Sequence, residues 1–100
     1  MDKYSIKLSP RAFRDIEDIF LYIALEKLSP ENAKGQTERI RAALKKLDTF
    51  PQAHQERTEG RYEGKGYRQL LIDNYIAIFK IDEKAKIVHI MTVQYQGRNI

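Results

Sequence analysis

The residues best suited to chemistry in this chain are arginines and tyrosines, together with two histidines. Arg68 opens the stretch YRQLLIDNYIAIFKID, in which nearly every later residue is apolar or typical of a turn. A guanidinium carries a planar fork of donors that fits phosphate as well as carboxylate. From the residues alone two interpretations stay open: Arg68 pairs with a carboxylate such as Asp73 or Glu63, or it binds phosphate.

Acid–base and metal chemistry have few candidates. His89 lies between apolar neighbours, where a histidine satisfied within the sheet is the commoner finding. His54 has no second histidine at ligand spacing, and the chain has no cysteine, so we expect no metal, no disulfide and no cofactor. The stretch Tyr95-Gln96-Gly97-Arg98 ends the chain with an aromatic ring and a cation, but a phenol with a pKa of about 10 is a weak base at neutral pH.

Basic residues are unevenly distributed along a chain of net charge +4 and pI about 9.4. The middle of the chain interleaves cations with aromatic rings, namely Arg57, Arg61, Tyr62, Lys65, Tyr67 and Arg68. This mixture suits single-stranded nucleic acid, although three glutamates dilute its charge. The second helical segment is also basic, which fits either an anionic partner or a solvated helix face.

Length and hydropathy indicate one domain spanning residues 1–100. The opening MDKYSIKLSP has no apolar signal-peptide core, and no apolar run reaches membrane-spanning length. We therefore expect a soluble cytoplasmic domain with no membrane partner.

Hydrophobic periodicity predicts the order β-α-α-β-β-β. The predicted elements are a strand at 3–8, helices at 10–27 and 30–49, a loop at 51–66, and strands at 67–72, 75–81 and 86–95. Each helix begins at a Ser-Pro pair, and the short link between the helices forces an antiparallel helical hairpin. Two short turns make the last three strands an antiparallel meander. The predicted fold is thus α+β, an antiparallel sheet with the helical hairpin on one face and the other face partly open.

Alternation along the strands predicts which side chains share a face. Arg68 is expected on the same side of its strand as Leu70 and Ile72. Tyr95 is expected on the same side of the last strand as His89 and Val93.

Four segments in chain order cover most of the sequence: LSPRAFRDIEDIFLYI, IRAALKKLDTFP, YRQLLIDNYIAIFKID and IVHIMTVQYQGRN. They resemble the two helices, the central hairpin and the last strand with its basic terminal motif in the RelE/ParE superfamily. These proteins are toxins of bacterial type II toxin–antitoxin modules. The resemblance implies the same α+β toxin fold for the whole chain.

The superfamily contains two activities. RelE-like members cut messenger RNA on the ribosome without a metal, whereas ParE-like members inhibit DNA gyrase and are not enzymes. The nuclease branch usually carries an arginine where this chain has Tyr75, so the resemblance favours a ParE-like gyrase inhibitor. The implied partners are a cognate ParD-like or RelB-like antitoxin, DNA gyrase or alternatively the ribosome with its mRNA, and operator DNA contacted through the antitoxin.

The resemblance also implies roles for particular residues. Candidates for binding a target or an antitoxin are Arg61, Lys65, Arg68, Tyr75, His89 and Arg98. In a nuclease, Arg68 and Arg98 would hold phosphate, and Tyr95 or His89 would transfer the proton. A third alternative is a decayed toxin that still binds its antitoxin, because the terminal basic motif is shorter than in ParE-like chains.

Overall fold

The computed structural model describes residues 3–97. Its elements are β1 (Ser5–Leu8), α1 (Pro10–Leu21), a π-helical turn (Tyr22–Glu26), α2 (Pro30–Lys45), β2 (Arg68–Ile72), β3 (Tyr75–Asp82) and β4 (Ile87–Tyr95). Single 3-10 turns occupy 46–48, 51–53 and 60–62. The predicted order β-α-α-β-β-β is confirmed.

The four strands form one mixed sheet in the order β1-β4-β3-β2. The meander β2-β3-β4 is antiparallel as predicted, but β1 pairs parallel with β4, with Ser5 opposite Ile87 and Leu8 opposite Ile90. A parallel pair requires a long connection between its strands, and here the helical hairpin and the first two strands of the meander provide it. Alternation in a sequence carries no strand direction, so the period of two could not have indicated this pairing.

Both helices start at their Ser-Pro pairs, as predicted, but they end earlier. The Ser9 hydroxyl accepts a hydrogen bond from the Ala12 amide at 3.0 Å and donates to the Met91 carbonyl at 2.8 Å. It therefore caps α1 and also fixes the start of that helix to β4. α1 gives way to the π-helical turn, and Leu28 then adopts left-handed backbone angles, with φ of 52°, before α2 begins.

The main core lies between the helical hairpin and one face of the sheet. Its fully buried large side chains include Ile16, Ile40, Phe79, Val88 and Ile90. A smaller cluster lies on the opposite face, where Tyr62 and Tyr67 pack on Ile76 and Ile78. The face that was expected to be open is thus partly covered by the segment at 57–67.

A β-bulge in β4 changes which residues face the helices. Ile78 lies opposite Thr92 and Phe79 opposite Ile90, so Met91 is the extra residue. Ile90 and Val93 consequently both enter the helix-side core although three positions separate them. The expectation that Tyr95 shares a face with His89 is wrong, because the bulge shifts the alternation between them.

Asp15 of α1 holds this bulge. Its Oδ2 accepts hydrogen bonds from the Thr92 hydroxyl at 2.5 Å and from the Val93 amide at 3.0 Å. Thr92 is fully buried, so loss of this acceptor would leave buried donors with a weaker partner or none.

Replacing Asp15 with alanine should therefore lower the free energy of unfolding by about 1.5–3 kcal/mol, the range for hydrogen bonds to a charged group. Urea unfolding of Asp15→Ala measures this. Asp18→Ala, an exposed carboxylate on the same helix, is the control and should change stability by less than about 0.5 kcal/mol. Equal effects of the two substitutions would contradict the role assigned to Asp15.

A second polar network joins Tyr4, the residue before β1, to the β3–β4 turn. The Tyr4 hydroxyl donates to Glu83 Oε1 at 2.6 Å, and Gln52 Nε2 donates to the Tyr4 oxygen at 2.6 Å and to both Glu83 oxygens at 3.0 and 3.1 Å. The Lys86 ammonium lies over the Tyr4 ring, 5.1 Å from its centroid. The hydrogen bonds from Tyr4 and then from Gln52 hold the pKa of Glu83 below its usual value.

This lowered pKa makes part of the stability pH-dependent. Folding lowers the pKa of Glu83, so its contribution is present above the unfolded pKa of about 4.3 and is lost as pH falls through the folded pKa. The melting temperature of Glu83→Gln should be lower than that of the natural chain at neutral pH. The two values should converge once the pH falls below the lowered pKa of Glu83 in the folded chain, which calorimetry at a series of pH values measures. A difference that is constant with pH would contradict this linkage.

Candidate functional site

Arg68 lies at the start of β2, on the strand face that it shares with Leu70 and Ile72, as predicted. Its Nη1 donates to the His54 carbonyl at 2.7 Å, and its Nη2 lies 3.8 Å from Glu56 Oε1. Only a quarter of the side chain (25%) is exposed. Arg68 therefore lies on the helix-side face and holds the segment before β2 in place, rather than marking the open face of the sheet.

Neither of the suggested carboxylates, Asp73 and Glu63, forms an ion pair with Arg68 among residues 3–97; the carboxylate near it is Glu56. Asp73, in the β2–β3 turn, accepts hydrogen bonds from Arg39 Nε at 3.0 Å and from Gln36 Nε2 at 2.8 Å, both on α2. These two bonds, the Arg39 bond foremost, lower the pKa of Asp73. The contacts join the turn to α2, so Asp73 helps to fix the distance between β2 and that helix.

A groove of about 340 Å³ lies between α2 and β2. Its lining residues are Arg39, Ala42, Ala43, Lys46, Leu47, His54 and Leu70. Small and apolar side chains form most of the wall, while one cation, Arg39, comes from α2 and the other, Lys46, from the 3-10 turn that follows it. Such a groove is suited to an apolar side chain from a partner that also carries negative charge.

Tyr75 and Tyr95 form an edge-to-face pair at the other end of the sheet. Their ring centroids are 5.6 Å apart at an interplanar angle of 82°. Tyr75 is buried, whereas Tyr95 is 53% exposed. Burial chiefly, with smaller contributions from Tyr95 and Tyr22, raises the pKa of Tyr75. Tyr75 is therefore a neutral packing residue at neutral pH.

A basic row crosses the opposite face of the sheet. Lys7 of β1 lies beside His89 of β4, and His89 lies beside Lys80 of β3. Lys80 also lies over the Tyr67 ring, 5.1 Å from its centroid. The two exposed ammonium groups flank the His89 imidazole on this face, so the row is suited to contact with an anionic partner.

The remaining candidates do not converge on one centre. Arg61 and Lys65 are exposed in the segment that covers the open face, and Arg98 lies outside the described residues. Arg68 is paired with Phe79 and Tyr95 with Tyr75, so their Cα atoms are on the order of 15 Å apart, from about 3.3 Å per residue along a strand and about 4.8 Å between strands.

Two kinds of feature are missing from the described part of the chain. Residues 3–97 contain no group of three or more side chains able to hold a metal ion. Within the same range, no helix has the length and hydropathy needed to cross a membrane.

Sequence reasoning did not single out the groove residues or the basic row. Arg39 and Lys46 had been noted only as part of a basic helix, and Lys7 and Lys80 only contributed to the net charge. Alternation does place Lys7, Lys80 and His89 on the side of each strand opposite its helix-facing apolar residues, which could have indicated a common face. Only the register could show that they are neighbours.

A family model for the ParE toxin of the type II toxin–antitoxin system parDE matches residues 6–100. The chain belongs to this family. A search of curated protein sequences found no significant match.

Solved structures show the fold of this ParE-family chain in other toxins. The chromosomal ParDE toxin–antitoxin system of P. aeruginosa matches at a TM-score of 0.74 and 23% identity, over 93% of this chain and 96% of that chain. A RelB–RelE toxin–antitoxin complex of Mycobacterium tuberculosis matches at 0.63 and 18% identity, over 98% and 97% of the two chains. A free E. coli RelE mutant matches at 0.66 and 12% identity, over 95% and 85%. The predicted toxin fold of the RelE/ParE superfamily is thus confirmed.

The contacts of Arg68 predict a structural effect in this ParE-family chain. Arg68→Ala should lower the free energy of unfolding by about 1–3 kcal/mol, because it removes a charged donor from the His54 carbonyl. It should also speed hydrogen exchange at the Gln69 amide, which donates to Gln55 in the segment that Arg68 holds. Arg61→Ala, at an exposed position, is the control and should change neither measurement. Unchanged exchange at Gln69 in Arg68→Ala would contradict the structural role.

Proposed function

We propose that this chain is a toxin that inhibits DNA gyrase by binding it and is held inactive by a cognate ParD-like antitoxin. The match to the ParE family over residues 6–100 supports the toxin. The similar P. aeruginosa protein is named as part of a ParDE toxin–antitoxin system, which supports the partner.

The observation that carries the gyrase proposal is the separation of the nuclease candidates. Phosphodiester cleavage requires a cation on the phosphate and a proton acceptor within hydrogen-bond reach of the same nucleotide. Arg68 and Tyr95 lie on the order of 15 Å apart along the sheet. Arg68 is also bonded to His54 and Glu56, so it is not free to meet a substrate. An inhibitor that acts by binding needs no such convergence.

The charge of the chain supports an acidic antitoxin. The net charge is +4, and exposed cations lie on α2, on the basic row and in the segment over the open face. Complementary charge raises the rate of encounter and disfavours wrong partners. The antitoxin segments that contact this chain should therefore be rich in aspartate and glutamate. Operator DNA would be contacted through the antitoxin.

One observation favours the alternative, a ribosome-dependent mRNA endonuclease. Lys7, His89 and Lys80 form a row across one face, with the Tyr67 ring beside it. Cations beside an aromatic ring suit single-stranded RNA. In that case His89 would be the proton-transfer group.

Purified chain should inhibit supercoiling by purified gyrase and leave mRNA intact on programmed ribosomes. The double variant Arg61→Glu with Lys65→Glu, on the segment over the open face, should weaken inhibition about tenfold or more, which corresponds to about 1.4 kcal/mol of binding. Lys34→Glu with Arg41→Glu makes the same charge change on α2 and should inhibit like the natural chain.

Two results would contradict this proposal. Cleaved mRNA with unaffected supercoiling would support the endonuclease, and His89→Ala should then abolish cleavage. A folded chain that affects neither process would support a decayed toxin.

A further inference from the structure

The helical hairpin ends in a group of exposed apolar side chains. Within residues 21–28, here named the hairpin tip, four large apolar side chains are at least half exposed, namely Leu21, Tyr22, Leu25 and Leu28. The three leucines recur at spacings of four and three residues, which is the pattern of a helix face that packs on another surface. Single exposed apolar side chains are common, but a group of them indicates an interaction site.

The backbone conformation of Leu28 is unfavourable for leucine. Its φ is 52°, and it lies where the helix ends, since the Ser29 amide donates to the Ile23 carbonyl at 3.3 Å. Helices usually carry glycine at this position, because a β-carbon is strained at left-handed angles. The Leu28 side chain is also 83% exposed, so it gains nothing from burial. Contact with a partner explains this leucine better than the stability of the chain does.

The segment between the two helices contributes little to the core. The π-helical turn (Tyr22–Glu26) lies within the hairpin tip, and none of its residues is fully buried. Turns of this kind are rare and occur frequently at functional sites. Packing within the chain therefore does not account for the exposed leucines of the tip.

Carboxylates surround the hairpin tip, although the chain as a whole is basic. Residues 17–32 carry four carboxylates and one ammonium group, whereas the whole chain has a net charge of +4. All four carboxylates belong to exposed residues, namely Glu17, Asp18, Glu26 and Glu31. The ammonium group belongs to Lys27 and lies over the Tyr22 ring, 5.7 Å from its centroid. The tip is thus an apolar surface with an acidic border.

These charges decide which partner the tip fits. An anionic membrane surface or a nucleic acid would be repelled by the carboxylates. Two copies that met tip to tip would place like charges opposite each other. The proposed antitoxin is acidic where it contacts this chain, so it also fits the tip poorly. A protein surface with an apolar cleft edged by lysine and arginine would satisfy both the leucines and the carboxylates.

We propose that the hairpin tip inserts Leu25 and Leu28 into an apolar cleft, edged by lysine and arginine, on the protein that this chain inhibits. The identification of that protein as DNA gyrase rests on the proposed function. The exposed leucines and the acidic border of the tip do not. The contact adds to that of Arg61 and Lys65, which would meet acidic groups elsewhere on the same protein.

Leu28→Gly separates contact with the target from stability of the chain. Glycine adopts left-handed angles freely, so loss of this exposed side chain should leave the melting temperature close to that of the natural chain. Inhibition of purified gyrase should nevertheless become about tenfold weaker, which corresponds to about 1.4 kcal/mol of binding. Equal inhibition by the folded variant and the natural chain would overturn the proposal.

Phe50→Gly is the matched control. Phe50 is also a large, exposed apolar residue with left-handed angles, its φ being 51°. It lies beyond the other end of α2, and the length of that helix, about 24 Å for its 16 residues, separates it from the hairpin tip. Phe50→Gly should inhibit gyrase like the natural chain. Equal weakening by Phe50→Gly and Leu28→Gly would mean that the effect is not specific to the tip, which overturns the proposal.

Glu26→Lys tests the charge requirement independently of the leucines. Lysine at this position would face the cations that edge the cleft, so inhibition should weaken, whereas Glu38→Lys makes the same charge change at an exposed position on α2 and should not weaken it. Stronger inhibition by Glu26→Lys would overturn the basic cleft. Light scattering tests the other occupant. A dimer of the chain that Leu28→Gly dissociates would mean that the tip pairs with a second copy, which also overturns the proposal.

Growth of cells that express the chain without an antitoxin separates this proposal from the proposed function. If the natural chain inhibits gyrase and Leu28→Gly inhibits it equally, the gyrase proposal stands and the tip contact is overturned. If the natural chain leaves gyrase unaffected but arrests growth, the gyrase proposal is overturned. Arrest that Leu28→Gly relieves and Phe50→Gly does not, at equal protein levels, would then still support the tip as the contact with another target. A folded chain that affects neither gyrase nor growth would overturn both.

Discussion

The hydrogen bonds from Thr92 and Val93 to the Asp15 carboxylate determine how the two layers of this protein fit together. They hold one extra residue in β4, so that the strand presents apolar side chains to the helices both before and after the bulge. Without the bulge, Val93 and Tyr95 would face the other side of the sheet. The Tyr75–Tyr95 pair and the burial of Tyr75 therefore both depend on a carboxylate in the first helix.

Arg68 shows how the same residue can be notable in the sequence and yet have a structural role. Its guanidinium binds the carbonyl of His54 and lies near Glu56, and the segment carrying both residues pairs with the first half of β2. That pairing ends before Leu71. The interaction that holds one part of the sheet edge thus also determines where the unpaired part begins.

The candidate surfaces lie on different sides of the molecule. The groove between α2 and β2 is on the helix side of the sheet, and the row of Lys7, His89 and Lys80 is on the opposite side. A partner bound in the groove and a partner bound on the basic row would therefore contact separate residues of this chain.

Much of the fold was predictable from local patterns. Ser-Pro pairs gave both helix starts, alternation gave the strands, and short turns gave the meander, because each of these signals acts over a few residues. The parallel pairing of β1, the bulge at Met91 and the π-helical turn after Leu21 were not predictable. They result from contacts between segments that are far apart in the chain.

The fold class, the basic charge, the resemblance to the toxin family and the face that Arg68 shares with Leu70 can all be read from the order of the residues. The partners of Arg68, the neighbours of His89 and the position of the groove became known only from the folded chain. Composition and periodicity are local properties. Strand register, strand direction and the distance between α2 and β2 depend on how the whole chain packs.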